Sequence, residues 1–272
     1  MNTATRPSAS PSGDVDWSDR LGRFGLLGKG VLHVVIGLLA FEIAVNGGSS
    51  NEASTAGAMQ WIADRPFGLA ALWVVGFSLL ALAVWRAITT VVGDPVEDDD
   101  GAYRLVWAAK AVVYGGFALT FLRAALDGGS SDGATSDNEQ ASDAAGTVFD
   151  WPMGRWIVIA AGLAIIGVAI YLVVKHTVGK GFAQRLSVSE DHAAVTLGRV
   201  GYGLRSVAYA LAGVLLVQAG LADEEQRAQG LSGTLEQTAD AAWGTLLLAA
   251  IAVGFLAYGV YCFAESKLRR SA

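Results

Sequence analysis

Three basic residues stand where a lipid-embedded chain tolerates them least. Lys29, Lys110 and Arg205 each fall about six residues, or ~9 Å at ~1.5 Å per residue, inside a long apolar stretch. A cation at the centre of a bilayer costs about 2.5–3.5 kcal/mol on insertion scales, so its recurrence argues for a use. Four residues after each cation, on the same helical face, come His33, Tyr114 and Tyr209. One further turn brings Gly37, Ala118 and Gly213, small residues that let another helix approach closely. Two readings fit this column of cation, hydrogen-bonding ring and notch. The long stems snorkel to cytoplasmic headgroups or donate to carbonyls of neighbouring helix ends. Alternatively, the three cations converge near the inner leaflet and hold an anionic lipid headgroup or an anionic solute.

A second set is acidic: Asp64, Asp150 and Asp240 precede apolar stretches, and Pro follows two residues later in the first two. Such carboxylates are expected to cap free N–H groups at a helix start, or to form an outer ring that gathers cations at a pore mouth. Acidic and basic rings at opposite ends would give a pore no consistent selectivity. Glu42 lies ~180° around its helix from His33 at ~100° per residue, so the first span alone builds no proton relay. The run Asp94 to Asp100 lacks the spacing of a calcium loop. His176 and His192 have no Cys or His partners at metal-ligand spacing, and Cys262 reads as a reduced, buried thiol. The chain carries no P-loop, dinucleotide fingerprint, nucleophile elbow or zinc-protease helix, so neither catalytic residues nor a cofactor or metal is expected.

The elements that hold these residues follow from composition. Of 272 residues, 53% are hydrophobic and 16% charged, against about 25% charged in soluble chains. Apolar blocks near 24–45, 67–90, 104–126, 154–174, 198–221 and 243–264 predict six membrane-spanning helices and an all-α, polytopic fold. All Lys and Arg but Arg65, Arg123, Arg155 and Arg227 fall on one side, which places both termini in the cytoplasm by the positive-inside rule. Trp61, Trp151, Trp156 and Trp243 at outer ends, with Trp85 and Trp107 at inner ones, fit an aromatic belt. Residues 1–20 read as a disordered cytoplasmic arm, and 127–146 as a flexible outer loop. A net charge of −6 excludes a basic nucleic-acid binder, and one cysteine excludes an internal disulfide framework.

The chain also repeats itself. Gly22, Arg23, Gly25, Val31 and Gly37 recur as Gly198, Arg199, Gly201, Val207 and Gly213, and Arg104, Lys110 and Ala118 give a fainter third copy. Asp64-Arg-Pro-Phe-Gly68 corresponds to Asp150-Trp-Pro-Met-Gly154 and Asp240-Ala-Ala-Trp-Gly244, and Trp85 to Tyr171 and Tyr261. The reading is three helical hairpins, 21–92, 103–176 and 197–268. With two spans each they run parallel, in a quasi-threefold bundle whose axis is near the membrane normal.

This triplication, with LGRFGLLGKGVLHVVIGLLA at 21–40 and LGRVGYGLRSVAYALAGVLL at 197–216, resembles the bacterial membrane family of the domain of unknown function 1206. Unit two departs from the opening motif, reading Tyr103-Arg104-Leu105-Val106. The resemblance implies a cytoplasmic-membrane address and no activity. The leading functional reading is a non-enzymatic bundle that binds membrane lipid, or a membrane-protein partner, through its inner cations. A small transporter or channel for an anionic solute, and a lipid-modifying enzyme, are the alternatives.

Overall fold

The computed structural model describes residues 14–46, 52–93, 101–129, 137–174, 186, 188–189, 192–222, 231–239 and 243–269. Among these, α1 (Asp14–Asn46), α3 (Gly68–Val92), α4 (Gly101–Leu126), α6 (Gly154–Val173), α7 (Ala193–Ala222) and α9 (Gly244–Leu268) are the long helices. Each is long and apolar enough to cross a membrane. Outward apolar side chains such as Phe41, Val74, Leu163 and Val253 are exposed, as contact with lipid tails requires. The protein is an all-α, multi-pass membrane protein. We call the end where α1 begins and α9 ends the base, and the opposite end the crown.

Three short helices sit at the crown, one between the two spans of each hairpin: α2 (Thr55–Ala63), α5 (Asp137–Phe149) and α8 (Leu231–Ala239). Ser54 caps α2 by accepting the Gly57 N–H at 3.0 Å, and Met59 and Ile62 bury beneath it. The loop expected over 127–146 therefore contains most of a helix. Its polar composition hid a short apolar edge, on which Ala145 and Phe149 pack against Ala219 and Leu216 of α7. Residues 14–20, expected in a disordered arm, are the opening turns of α1; residues 1–13 and the acidic run 94–100 lie outside the described residues.

Packing runs as an interrupted ring. The second long helix of each hairpin lies against the first long helix of the next: α3 on α4, α6 on α7 and α9 on α1. Small residues set these junctions, as the notch positions foretold. A β-carbon on Gly37 would meet the Leu256 nitrogen at 2.9 Å, and one on Gly213 would meet the Gly162 carbonyl at 2.9 Å. Ala118 is fully buried.

Within hairpins, α1 packs on α3 and α7 on α9, but α4 and α6 make no substantial contact among the described residues. A β-carbon on Gly25 would fall 2.6 Å from Leu82, and one on Gly201 would fall 2.6 Å from the Tyr258 nitrogen. These two pairs are equivalent. The corresponding pair in unit two is Val106 and Val168, and both are exposed, at 47% and 56%. A valine where the other units have glycine removes the close approach, and the second hairpin stands open.

The base is tied together by the motif arginine. Arg23 donates through Nη2 to the Arg269 carbonyl at 2.9 Å and through Nη1 to the Lys267 carbonyl at 3.4 Å, occupying acceptors that α9 leaves free at its end. Beside it, Arg269 pairs with Glu265 at 3.3 Å and lies over the Trp85 ring, 4.5 Å from its centroid. Leu186 forms an antiparallel bridge with Arg269 and is buried with Val195, Tyr258, Tyr261 and Cys262. Cys262 is thus a buried thiol. His192 accepts the Ala194 N–H at 3.1 Å and starts α7; His176 lies outside the described residues.

Candidate functional site

Lys29 and Arg205 come together inside the ring although α1 and α7 belong to different hairpins. The guanidinium of Arg205 lies over Tyr258, 3.8 Å from the ring centroid, with Tyr202 at 5.0 Å and Tyr209 at 5.4 Å. The Lys29 ammonium faces Tyr258 at 5.1 Å and Tyr114 of α4 at 5.4 Å. His33 joins the two cations. Arg205 donates from Nη1 to His33 Nε2 at 3.2 Å, and the other ring nitrogen lies 2.8 Å from the Lys29 carbonyl. Because arginine only donates, Nε2 must be the accepting nitrogen, so Nδ1 carries the proton and gives it to the carbonyl. The imidazole packs edge-on to Tyr258 at 4.8 Å.

The charges are not balanced locally. Among the described residues no carboxylate lies within ion-pairing distance of Lys29 or Arg205. Among the described residues the Arg205 Nε–H is buried without a hydrogen-bond partner, and the Lys29 ammonium lies over two tyrosine rings. Tyrosine faces offset part of the cost of such charges, but they supply no acceptor lone pair in line with an N–H. An anion of several oxygens would satisfy both groups.

Lys110 stands differently from its two counterparts. It lies one turn basal to Tyr114, on the same face of α4, and is exposed. The structure brings Lys29, Arg205, His33, Tyr114 and Tyr209 into one cluster and leaves Lys110 at the open hairpin. The physical reason is the missing contact between α4 and α6, which would otherwise bury that face of α4. Tyr202 and Tyr258 were missed. Tyr202 carried a signal, a phenol inside an apolar span three residues before Arg205, whereas Tyr258 meets the Gly201 motif position only once α9 packs on α7.

Asp64 and Asp150 do not act as the expected caps. Helix α3 starts at Gly68 with Phe67 as its N-cap residue and no side-chain bond, while Asp64 closes α2, its N–H bonded to the Gln60 carbonyl. Between them Arg65-Pro66-Phe67-Gly68 forms a turn closed by the Gly68 N–H on the Arg65 carbonyl at 2.7 Å. Trp151-Pro152-Met153-Gly154 repeats it at 2.8 Å. The turn needs a left-handed third residue, and Phe67 and Met153 supply it at φ 66° and 68°. It consumes the residues between aspartate and helix, so the cap cannot form. Asp64 and Asp150 are exposed, and Asp240 lies outside the described residues.

Comparison with known proteins gives the same threefold division. The family model described as Domain of Unknown Function (DUF1206) matches residues 24–93, 105–175 and 200–269. A curated relative, "Uncharacterized protein YxxB" of Bacillus subtilis (strain 168), is 26% identical over 260 residues, covering 90% of this chain and 89% of its own. No solved structure matches. With the model matched three times in tandem, once on each hairpin, the chain belongs to the DUF1206 family.

Proposed function

We propose that the protein binds the anionic headgroup of a membrane phospholipid at Lys29 and Arg205, without catalysing its turnover. The observation that carries this reading is the pair of enclosed cations with no carboxylate beside them among the described residues, arranged around a histidine that accepts from one and donates to the other's backbone. A phosphate group offers the several acceptor oxygens that the guanidinium fork and the ammonium require. The setting is the cytoplasmic membrane with both termini in the cytoplasm, supported by the gathering of Lys and Arg toward the base. The cations then lie toward the inner leaflet, whose lipids are the anionic ones.

Native mass spectrometry of the full chain, extracted from nanodiscs of phosphatidylglycerol and phosphatidylcholine in equal parts, tests this. Retained phosphatidylglycerol is the expected result. A charge-assisted bond contributes about 1.5–3 kcal/mol, so Lys29→Gln or Arg205→Gln should weaken retention by ~10- to 100-fold. Equal retention of both lipids, unchanged in the variants, overturns the proposal. Retention of soluble glycerol phosphate in place of the lipid would instead favour an anionic solute.

A further inference from the structure

The open hairpin of unit two bears on how a lipid would reach such a site. The residues of α4 and α6 that correspond to the closed contacts of the other hairpins are Val106, Ala109, Val113, Ala161, Ala164, Ile165 and Val168, and all are exposed. Their unit-one counterparts on α3, Val75, Ser78, Leu79 and Leu82, are buried to 3% exposure or less. Gly116 and Gly167 have open space where a β-carbon would project, unlike the tightly covered glycines of the closed hairpins. The walls of the opening are therefore apolar and unpartnered. Midway along the α4 wall, one turn from Val106, stands exposed Lys110, and one turn further toward the crown is Tyr114, whose ring already meets the Lys29 ammonium. From the base, the cluster is covered by Leu186 and its neighbours.

We infer that the opening between α4 and α6 is a lateral port in which one acyl chain of a bound anionic phospholipid lies, with Lys110 at its mouth and the headgroup at Lys29 and Arg205. This rests on the proposed reading of those two cations as an anion site. Charge selects the occupant. Neither wall carries an acidic residue between 104 and 126 or between 154 and 173, so the cleft itself offers no carboxylate to Lys29 and Arg205 at its inner end. A phospholipid brings apolar chains and an anion together, matching a valine- and alanine-lined cleft that ends in cations.

The test uses the full chain in nanodiscs of phosphatidylglycerol and phosphatidylcholine in equal parts, with a trace of phosphatidylglycerol carrying a mid-chain diazirine. Illumination should place adducts on peptides containing Val113, Ala161 or Ala164, the part of the walls on the crown side of the cations. Ala109→Trp and Ala164→Trp fill the cleft at exposed positions, so their melting transitions should be unchanged while those adducts are lost. Adducts spread evenly over outward residues such as Phe41 and Val253, or undiminished by either tryptophan, overturn the port. If phosphatidylglycerol is then still retained through Lys29 and Arg205, the headgroup site stands and only the port fails. If retention ignores Lys29→Gln and Arg205→Gln, the underlying reading fails instead. A dimer cross-linked through cysteines at Val106 and Val168 of separate copies would overturn the port in favour of a second copy.

Discussion

His33 accepts an N–H of Arg205 at 3.2 Å across 172 residues of chain, and this bond joins the first hairpin to the third in the interior of the bundle. With its other nitrogen committed to the Lys29 carbonyl, the imidazole is a fixed acceptor rather than a mobile base. Removing it strands a second buried donor on a guanidinium whose Nε–H already lacks a partner. His33→Ala should therefore cost about 1–3 kcal/mol, read as a lower midpoint of unfolding when sodium dodecyl sulfate is titrated into detergent micelles. His33→Gln, which keeps an acceptor and a donor, should recover part of the loss. Equal destabilisation by both would mean that the imidazole acts only through its packing on Tyr258 and Phe255.

The glycines of the opening motif make a second prediction. Gly25 packs on the Leu82 backbone, so Gly25→Val places a β-carbon and two methyl groups where no neighbour can retreat by a simple rotamer change. Overpacking of this kind costs about 1–3 kcal/mol, and here it should also separate α1 from α3. Val106→Ala at the equivalent place in unit two should stay within ~0.5 kcal/mol, because that side chain is exposed. The same detergent titration compares them. A Val106→Ala loss as large as that of Gly25→Val would show that the second hairpin is closed in the membrane.

The spans and the threefold repeat were legible because bilayer thickness dictates apolar length and because glycine and arginine recur at fixed places. The cation column was legible for the same local reason, since Lys29 and His33 share a face of α1, as Arg205 and Tyr209 share one of α7. What the residues did not disclose was partner choice. Whether Lys110 joins its counterparts depends on α4 meeting α6, and Val106 in place of a glycine has meaning only once Gly25 and Gly201 are seen against opposing backbones. Tyr258 was hidden likewise: it corresponds to Leu82, an ordinary core position in unit one, and becomes part of the site only because α9 lies between α1 and α7. The crown helices were obscured by composition, since α5 buries one narrow edge and leaves the rest polar.

At the crown, the turn before α3 separates two readings of one short segment. Ser54 holds a backbone N–H of α2, whereas Asp64, four residues short of α3, holds none of its N–H groups. Ser54→Ala should cost about 1 kcal/mol, within the usual range for a lost cap. Asp64→Ala should change stability by less than ~0.5 kcal/mol. Thermal midpoints of the two variants in the same detergent decide the matter, and the reverse order would restore Asp64 as a cap.

At the base, Arg23 gives the motif arginine a structural task that can be isolated. Its fork reaches two carbonyls at the end of α9, and one of them belongs to Arg269, whose side chain covers Trp85 and whose backbone bridges to Leu186. Arg23→Ala should free those carbonyls at a cost of about 1 kcal/mol, and the effect should be local. Amide exchange at Ser266 to Arg269 should quicken, while exchange in the middle of α9, around Gly254 and Phe255, stays slow. Arg23→Lys should protect only partly, because an ammonium lacks the fork that spans both acceptors. Arg199→Ala removes the equivalent residue of unit three, at the foot of α7, and should leave the end of α9 untouched. Acceleration there in both variants would assign the effect to a general loosening of the bundle rather than to the Arg23 bonds.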